Sequence, residues 1–320
     1  MMFAEPPSWD SQSSDPNDDT FADVVEVTSL EAAAEYDVVL VGEPYDEAVI
    51  GRQGAAAGPA AIRASLAGLK THHLEAGPVA VADDAPGGTE RCRVGDLGTV
   101  STLESPPSGV AGTQRGLEAA TKAVYESGAR PVFLGGDNSL SVPNVAPLLG
   151  GSASVGVVSL DAHLDCRKLH DGPTSGTPYR QLHARGLDTI AVVGARNFET
   201  STRYVEYLED QGGTIVPADA VRQDRAAALA SVRDAMADVE RVYLSLDVDV
   251  LEAAAAPGVS APTPGGLTTG DAFALLEALA RDERVVGFEV VECAPPLDRD
   301  GRTVDAAARA VAHVLAGWSP

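Results

Sequence analysis

Two apolar runs in this chain end in alternating acids, and they restrict what it can fold into more than any other feature. Residues 153–160 lead into Asp161-Ala162-His163-Leu164-Asp165, and residues 242–246 lead into Asp247-Val248-Asp249. Runs this apolar read as strands buried on both faces, the mark of a parallel sheet covered by helices on either side. Further apolar runs at 37–41, 131–134, 189–193, 214–217 and 285–291 read as strands. Between them, 58–69, 117–127, 202–211, 225–239, 269–281 and 303–315 read as helices, the first with Pro59 near its start. The alternation predicts an α/β fold of three layers, α-β-α, with a mainly parallel central sheet. Ligand chemistry in such sheets gathers where strands release the chain at their carboxyl ends. Both acidic motifs lie at that edge.

The chain has 320 residues, 44% of them hydrophobic, enough for one sizeable domain over 37–320. Residues 1–36 are acidic and rich in Ser, Asp and Pro, and read as a loosely ordered lead-in. Asp and Glu number 47 against 23 Lys and Arg, for a formal charge of −24. Such a surface repels phosphate backbones and anionic membranes, so nucleic acid and membrane are excluded as partners. Lys70, Lys122 and Lys168 are the lysines and the other cations are arginines. Scarce lysine beside abundant acid and Ala points to life in high salt; an ordinary acidic cytoplasmic protein is the plainer alternative. Three scattered cysteines, Cys92, Cys166 and Cys293, suggest neither a disulfide framework nor a zinc finger. No apolar window reaches membrane-spanning length and no leader is evident, so the chain reads as cytoplasmic.

In extended backbone, residues two apart share a side, so Asp161, His163 and Asp165 can converge, as can Asp247 and Asp249. A lone Asp-x-Asp is more often a solvated turn or cap. Two such clusters, each after a buried strand and one holding a His, call for divalent cations to offset the repulsion. Oxygen donors with one imidazole suit manganese or magnesium.

Gly135-Gly136-Asp137-Asn138-Ser139, Asp161–Asp165 and Ser245–Leu251 resemble, in order and spacing, three segments of the arginase–agmatinase (ureohydrolase) family. The resemblance extends to Gly54–Arg63, to Pro257-Gly258 through Leu267, and to Val291-Glu292-Cys293-Ala294-Pro295, running from about residue 40 to the C-terminus. It implies an arginase-like fold and two Mn2+ per subunit. One ion falls to Asp161, Asp165 and Asp247 with position 138 nearby, the other to His163, Asp161, Asp247 and Asp249. A hydroxide between them would attack, with Asp165 orienting it and Glu292 holding the substrate's cationic head. The family also implies a homo-oligomer, a trimer or hexamer.

Where these proteins usually carry His, this chain has Asn138. Either its amide oxygen ligates weakly, with water completing the sphere, or Asn138 does not ligate and the site holds one metal at rest. Asp137 reads as fixing its loop through backbone hydrogen bonds, and Cys166 as packing beneath the site. The loop Ser175-Gly176-Thr177-Pro178-Tyr179-Arg180-Gln181-Leu182 lacks the His-Gly pair of arginases and agmatinases and resembles the formimidoylglutamase branch, as does Gly194-Ala195-Arg196-Asn197-Phe198. That branch hydrolyses N-formimidoyl-L-glutamate to L-glutamate and formamide in histidine breakdown. Arg180 and Arg196 are then candidates for the substrate's carboxylates; His170 and His183 are solvated loop residues or proton shuttles. Two other readings stay open: a urea-releasing relative acting on agmatine, arginine or a guanidino acid, and a non-catalytic metal-binding or regulatory homologue.

Overall fold

A computed structural model describes residues 2–319 except 7, 11, 12, 16, 81–91, 105 and 107. In chain order the strands are β1 (Phe3–Ala4), β2 (Val25–Val27), β3 (Val38–Gly42), β4 (His72–His73), β5 (Gly77–Pro78), β6 (Val94–Val100), β7 (Arg130–Leu134), β8 (Val155–Leu160), β9 (Thr189–Ala195), β10 (Thr214–Pro217), β11 (Arg241–Asp247) and β12 (Val285–Val291). The helices are α1 (Phe21–Val24), α2 (Gly58–Ala67), α3 (Val110–Ser127), α4 (Ser141–Val145), α5 (Pro178–Ala184), α6 (Thr202–Asp210), α7 (Ala218–Gln223), α8 (Arg225–Ala235), α9 (Thr269–Ala280) and α10 (Arg302–Trp318).

The main sheet runs β1-β6-β3-β7-β12-β11-β8-β9-β10, with β2 also on β6. Every pairing in it is parallel except β1 with β6, so the expected mainly parallel three-layer architecture is the one observed. Successive side chains point to opposite faces and feed separate cores. Val158, Leu160, Leu244 and Leu246 pack with α8, α9 and α10, whereas Val155, Val157 and Tyr243 pack toward α3 to α6. Small residues carry the contact: Ala306, Ala307, Ala308 and Ala310 of α10 are all buried. Side-chain caps set two helix starts. Asp224 accepts from Ala227 N ahead of α8, and Thr268 from Asp271 N ahead of α9.

Two expectations change. The strand β6 went unread because Gly95, Asp96 and Gly98 interrupt its apolar pattern. The lead-in is not loose where it is described: Phe3 and Ala4 pair with Val100 and Thr99, and Phe21 is buried. One buried ion pair accounts for both. Asp96 takes the Arg63 guanidinium at 2.8 and 2.9 Å, and Trp9 Nε1 donates to the same carboxylate at 3.0 Å. The acid that spoils the strand pattern is therefore the anchor for the N-terminal residues.

Removing one partner of a buried pair leaves the other uncompensated, at about 3–5 kcal/mol. Asp96→Ala should lower the unfolding free energy by that order in denaturant titrations at high salt, and Arg63→Met combined with Asp96→Leu should recover much of it. A loss under about 1 kcal/mol would mean the pair contributes no more than a surface bridge.

Candidate metal centre

Strands β8 and β11 lie side by side in parallel, with Leu160 opposite Leu246. The next residue of each chain is therefore delivered at the same height, Asp161 beside Asp247. Oxygens of Asp161, Asp165 and Asp247 lie within 4.8 Å of one another, and so do ligand atoms of Asp161, His163 and Asp249. Both acidic motifs meet at one place, with Asp161 common to the two groups.

The convergence is not that of extended strand, as the two-residue spacing suggested. Asp161 Oδ1 accepts from His163 N at 2.7 Å, and Asp247 Oδ1 accepts from Asp249 N at 2.9 Å. Each leading Asp thus caps its own turn, and residues 248–250 coil into a short 3-10 segment. The turn swings the third residue back over the first. Asp165 completes the first motif with φ of 36°, a left-handed backbone uncommon outside glycine.

Neighbouring loops close the cleft. At the end of β12, Glu292 also sits left-handed, φ 63°; its N–H donates to Gly136 O at 2.7 Å and its Oε1 accepts from Asn138 N at 3.0 Å. Gly136 is required there, since a Cβ would fall 1.7 Å from Tyr45 O. Asp137 does what its sequence position suggested, accepting from Ser139 N and Ala48 N to fix the loop. The resulting cavity, about 120 Å³, is lined by His163, Asp165, Asp247, Asp249 and Glu292, with Arg167 at its edge.

The electrostatics are those of crowded like charges. Burial, then the charge of Asp161, pushes the Asp165 carboxyl up to about 8. Asp247 is driven well above its ordinary range by burial and then by Asp249 and Asp161, and Glu292 by burial and then Asp137. Burial alone would push the His163 imidazole down, but Asp249, 3.1 Å away, and Asp161 raise it to about 12. Asp161 Oδ2, Asp249 Oδ1 and Glu292 Oε2 are buried with no hydrogen-bond partner among the described residues. Converging carboxylates, one imidazole and unpartnered oxygens make a donor set that fits hard divalent cations.

The remaining candidates divide. Asn138 turns its Nδ2 toward Asp165 Oδ2 at 2.6 Å, while its Oδ1 accepts from Ser141 Oγ at 2.7 Å. Arg196 does not face the cavity: it is buried, and its guanidinium donates to Asp249 O, Leu251 O and Thr263 Oγ1. A fork already filled by carbonyls braces the loop after β11 and leaves substrate carboxylates to other cations. Arg180 is anchored through Nε to Cys166 O at 2.8 Å, with its guanidinium over the Tyr207 ring, and lines a second cavity beside the first. His183 meets Tyr207 Oη at 3.1 Å and is pushed down to about 4, chiefly by burial and then by Arg180, so it stays neutral at pH 7. His170 lines the second cavity, and Cys166 is buried, its Sγ facing Tyr204 O.

Three residues of the site were not read from sequence. Arg167 continues the two-residue alternation begun at Asp161, a signal that was there to follow. Glu199, with Oε2 3.6 Å from His163 Nε2, and Ser141 carry no such mark. Elsewhere, His73, Glu277 and His313 form another group with metal-ligand spacing. Its contacts are those of a hydrogen-bonded tie: His73 Nδ1 accepts from Glu75 N and Ala76 N, which leaves its Nε2 to face Glu277 as a donor. Glu277 also takes Arg281 and His313, and the group ties the β4–β5 hairpin to α9 and α10.

Residues 36–317 match the arginase family. Formimidoylglutamase of Halobacterium salinarum is 56% identical over 320 residues, 99% of each chain. Among solved structures, formimidoylglutamase from Bacillus subtilis superposes with a TM-score of 0.85 at 25% identity, covering 96% of this chain and 94% of that one. An Asn→His variant of Trypanosoma cruzi formiminoglutamase with Mn2+ gives 0.76 at 26% identity, over 92% and 99% of the two chains.

The raised carboxyls set a pH dependence. Asp165 moves from 3.8 unfolded to about 8 folded, so its protonated form stabilises the fold below the first value and that contribution is gone above the second. Without divalent cations, thermal stability should fall from about pH 5 to about pH 8. Mn2+ at about a hundred times its Kd should add about 2.7 kcal/mol, and more fully at the upper pH, where the ligands are ionised. A Mn2+ effect equal at both pH values, measured by thermal melts with chelator and with metal, would count against this site.

Proposed function

The chain belongs to the arginase family, and on that premise we infer that it hydrolyses N-formimidoyl-L-glutamate to L-glutamate and formamide. The observation that carries this choice of substrate is the charge of the cleft mouth. Beside the acidic floor lies a cavity of about 550 Å³ lined by Arg167, Lys168, His170, Arg180 and Arg203, with Asp171 as its acid. That is a concentration of cations in a chain of formal charge −24. Arg167 borders both cavities. A cationic formimino head on the carboxylate floor with two carboxylates toward the basic mouth matches this polarity end for end. Agmatine, cationic at both ends, would meet repulsion at the mouth.

Asp161, His163, Asp165, Asp247 and Asp249 would hold the metal pair, with manganese favoured by the oxygen-rich donor set and by the Mn2+ in the Trypanosoma relative. When bound, the pair supplies Lewis acidity and lowers the pKa of the attacking water. Glu292, fixed by Asn138 N and Gly136 O, holds a carboxylate against the planar amidinium. Arg180, its Nε anchored to Cys166 O and Arg167 O, keeps a fixed guanidinium at the mouth. The acidic surface and the Halobacterium relative support a protein that works in high salt, in the cytoplasm, within histidine breakdown. Among urea-releasing substrates, the basic mouth disfavours agmatine in particular.

Two measurements test the assignment. With Mn2+ and high salt, formimidoylglutamate should release formamide and glutamate, while agmatine and arginine release no urea; urea from either would overturn the substrate. Arg167→Gln should lower kcat/KM by about 2 kcal/mol, roughly thirtyfold, mainly through KM. An unchanged KM would remove Arg167 from substrate recognition.

A further inference from the structure

Behind the cleft lies a wholly buried polar network that the proposed reaction does not use. Glu43 and Glu289 are both fully buried. Asn144 Nδ2 donates to Glu43 Oε2 at 2.9 Å and to Glu289 Oε2 at 3.0 Å, and Tyr243 Oη donates to Glu289 Oε2 at 3.1 Å. Two carboxyls sharing neutral partners in the core favour keeping a proton between them. Burial raises both, Glu43 to about 8.

The network reaches the cleft through one hydroxyl. Ser141 Oγ lies 2.5 Å from Glu289 Oε1 and 2.7 Å from Asn138 Oδ1, and Asn138 Nδ2 lies 2.6 Å from Asp165 Oδ2. Ser141 has a single proton to give. With the Asn138 oxygen toward Ser141, that proton goes to Asn138, and Glu289 must itself be protonated to donate to Ser141. With the amide reversed, Asn138 Nδ2 donates to Ser141, Ser141 donates to an ionised Glu289, and the amide oxygen faces Asp165. Two oxygens sit about 2.6 Å apart there only with a proton of Asp165 or a cation between them, and a cation that displaces the proton then meets the amide oxygen. Only the second arrangement offers a cation the atom of Asn138 able to ligate it.

We propose that Ser141 is a positioning residue for divalent cation binding at Asp161, Asp165 and Asp247: its one hydroxyl proton, shared between Asn138 and Glu289, sets which end of the Asn138 amide faces the cation. Cation binding at that face is thereby linked to release of a proton from the buried Glu43–Glu289 pair. The inference rests on the metal-dependent reading above and adds to it a control that lies in the core rather than in the ligands.

The test is Mn2+ titration by calorimetry of the full chain in high salt, in two buffers of different ionisation enthalpy, without substrate. Glu289→Gln keeps the shape and the bonds to Tyr243 and Asn144 but can only donate to Ser141, which holds the Asn138 nitrogen toward Asp165. The weaker of the two Mn2+ constants should fall about tenfold or more, the tighter one and the melting temperature should stay put, and proton release at the weaker site should disappear. Ser141→Ala should weaken the same site and Ser141→Thr should restore it. In an Asn138→His background, Glu289→Gln should lose its effect. Equal weakening of both sites, or the same loss in the Asn138→His background, overturns the relay while leaving the metal site standing. A wild-type chain that takes up no Mn2+ overturns the metal-dependent reading and the relay with it.

Discussion

The in-register pairing of β8 with β11 is the constraint on which the site depends. It sets Asp161 against Asp247 at the sheet's carboxyl edge, where parallel strands buried on both faces leave little freedom to slide. Bringing carboxylates together in a dry cleft is unfavourable by itself, and the raised carboxyls and the imidazole held protonated by its neighbours are the measure of that. The sheet holds them there regardless. Left-handed backbone at Asp165 and Glu292 belongs to the same economy: strain that the surrounding structure over-determines, held at two of the carboxylates that shape the cleft.

Charge is sorted by place rather than spread. Acid covers the chain as a whole, acid again lines the cleft floor, and cations gather at the mouth around Arg167, Lys168 and Arg203. In high salt, exposed charges farther apart than a few ångströms are largely screened, so a distant field can do little to draw an anionic substrate in. Recognition must then come from short-range contacts inside a partly enclosed cavity. A cluster of arginines, forked and always charged, is suited to that.

Much of this was legible in the residue order, for physical reasons that differ by element. Strands buried on both faces announce themselves as apolar runs, so β8, β11 and β12 were read nearly to their ends. The same reasoning failed for β6, where Asp96 is buried because Arg63, far away in sequence, neutralises it. Long-range pairing of that kind leaves no local trace. Arg196 failed in the opposite sense: an arginine beside the site reads as a ligand for anions, yet main-chain carbonyls released by the turn after β11 take its donors. Sequence shows that a cation is present, but which acceptors reach it first is a property of the fold.

The spacing of the two acidic motifs has a cause that the strand picture hid. In both, the leading Asp uses one oxygen to cap the N–H two residues on, which leaves its other oxygen and the third side chain turned toward the same point. A carboxylate can do both because it has two acceptor atoms, and Asp can because its stem is short enough for the turn. Glu in the leading place would carry its carboxylate past the N–H, and Asn would offer an oxygen to the turn but an NH2 to the cleft. The alternation is therefore a turn chemistry repeated at two neighbouring strand ends, and the approximate symmetry of the cleft follows from it. Asn138 sets an amide against Asp165 at the cleft, and there the orientation that a carboxylate never has to choose becomes a variable.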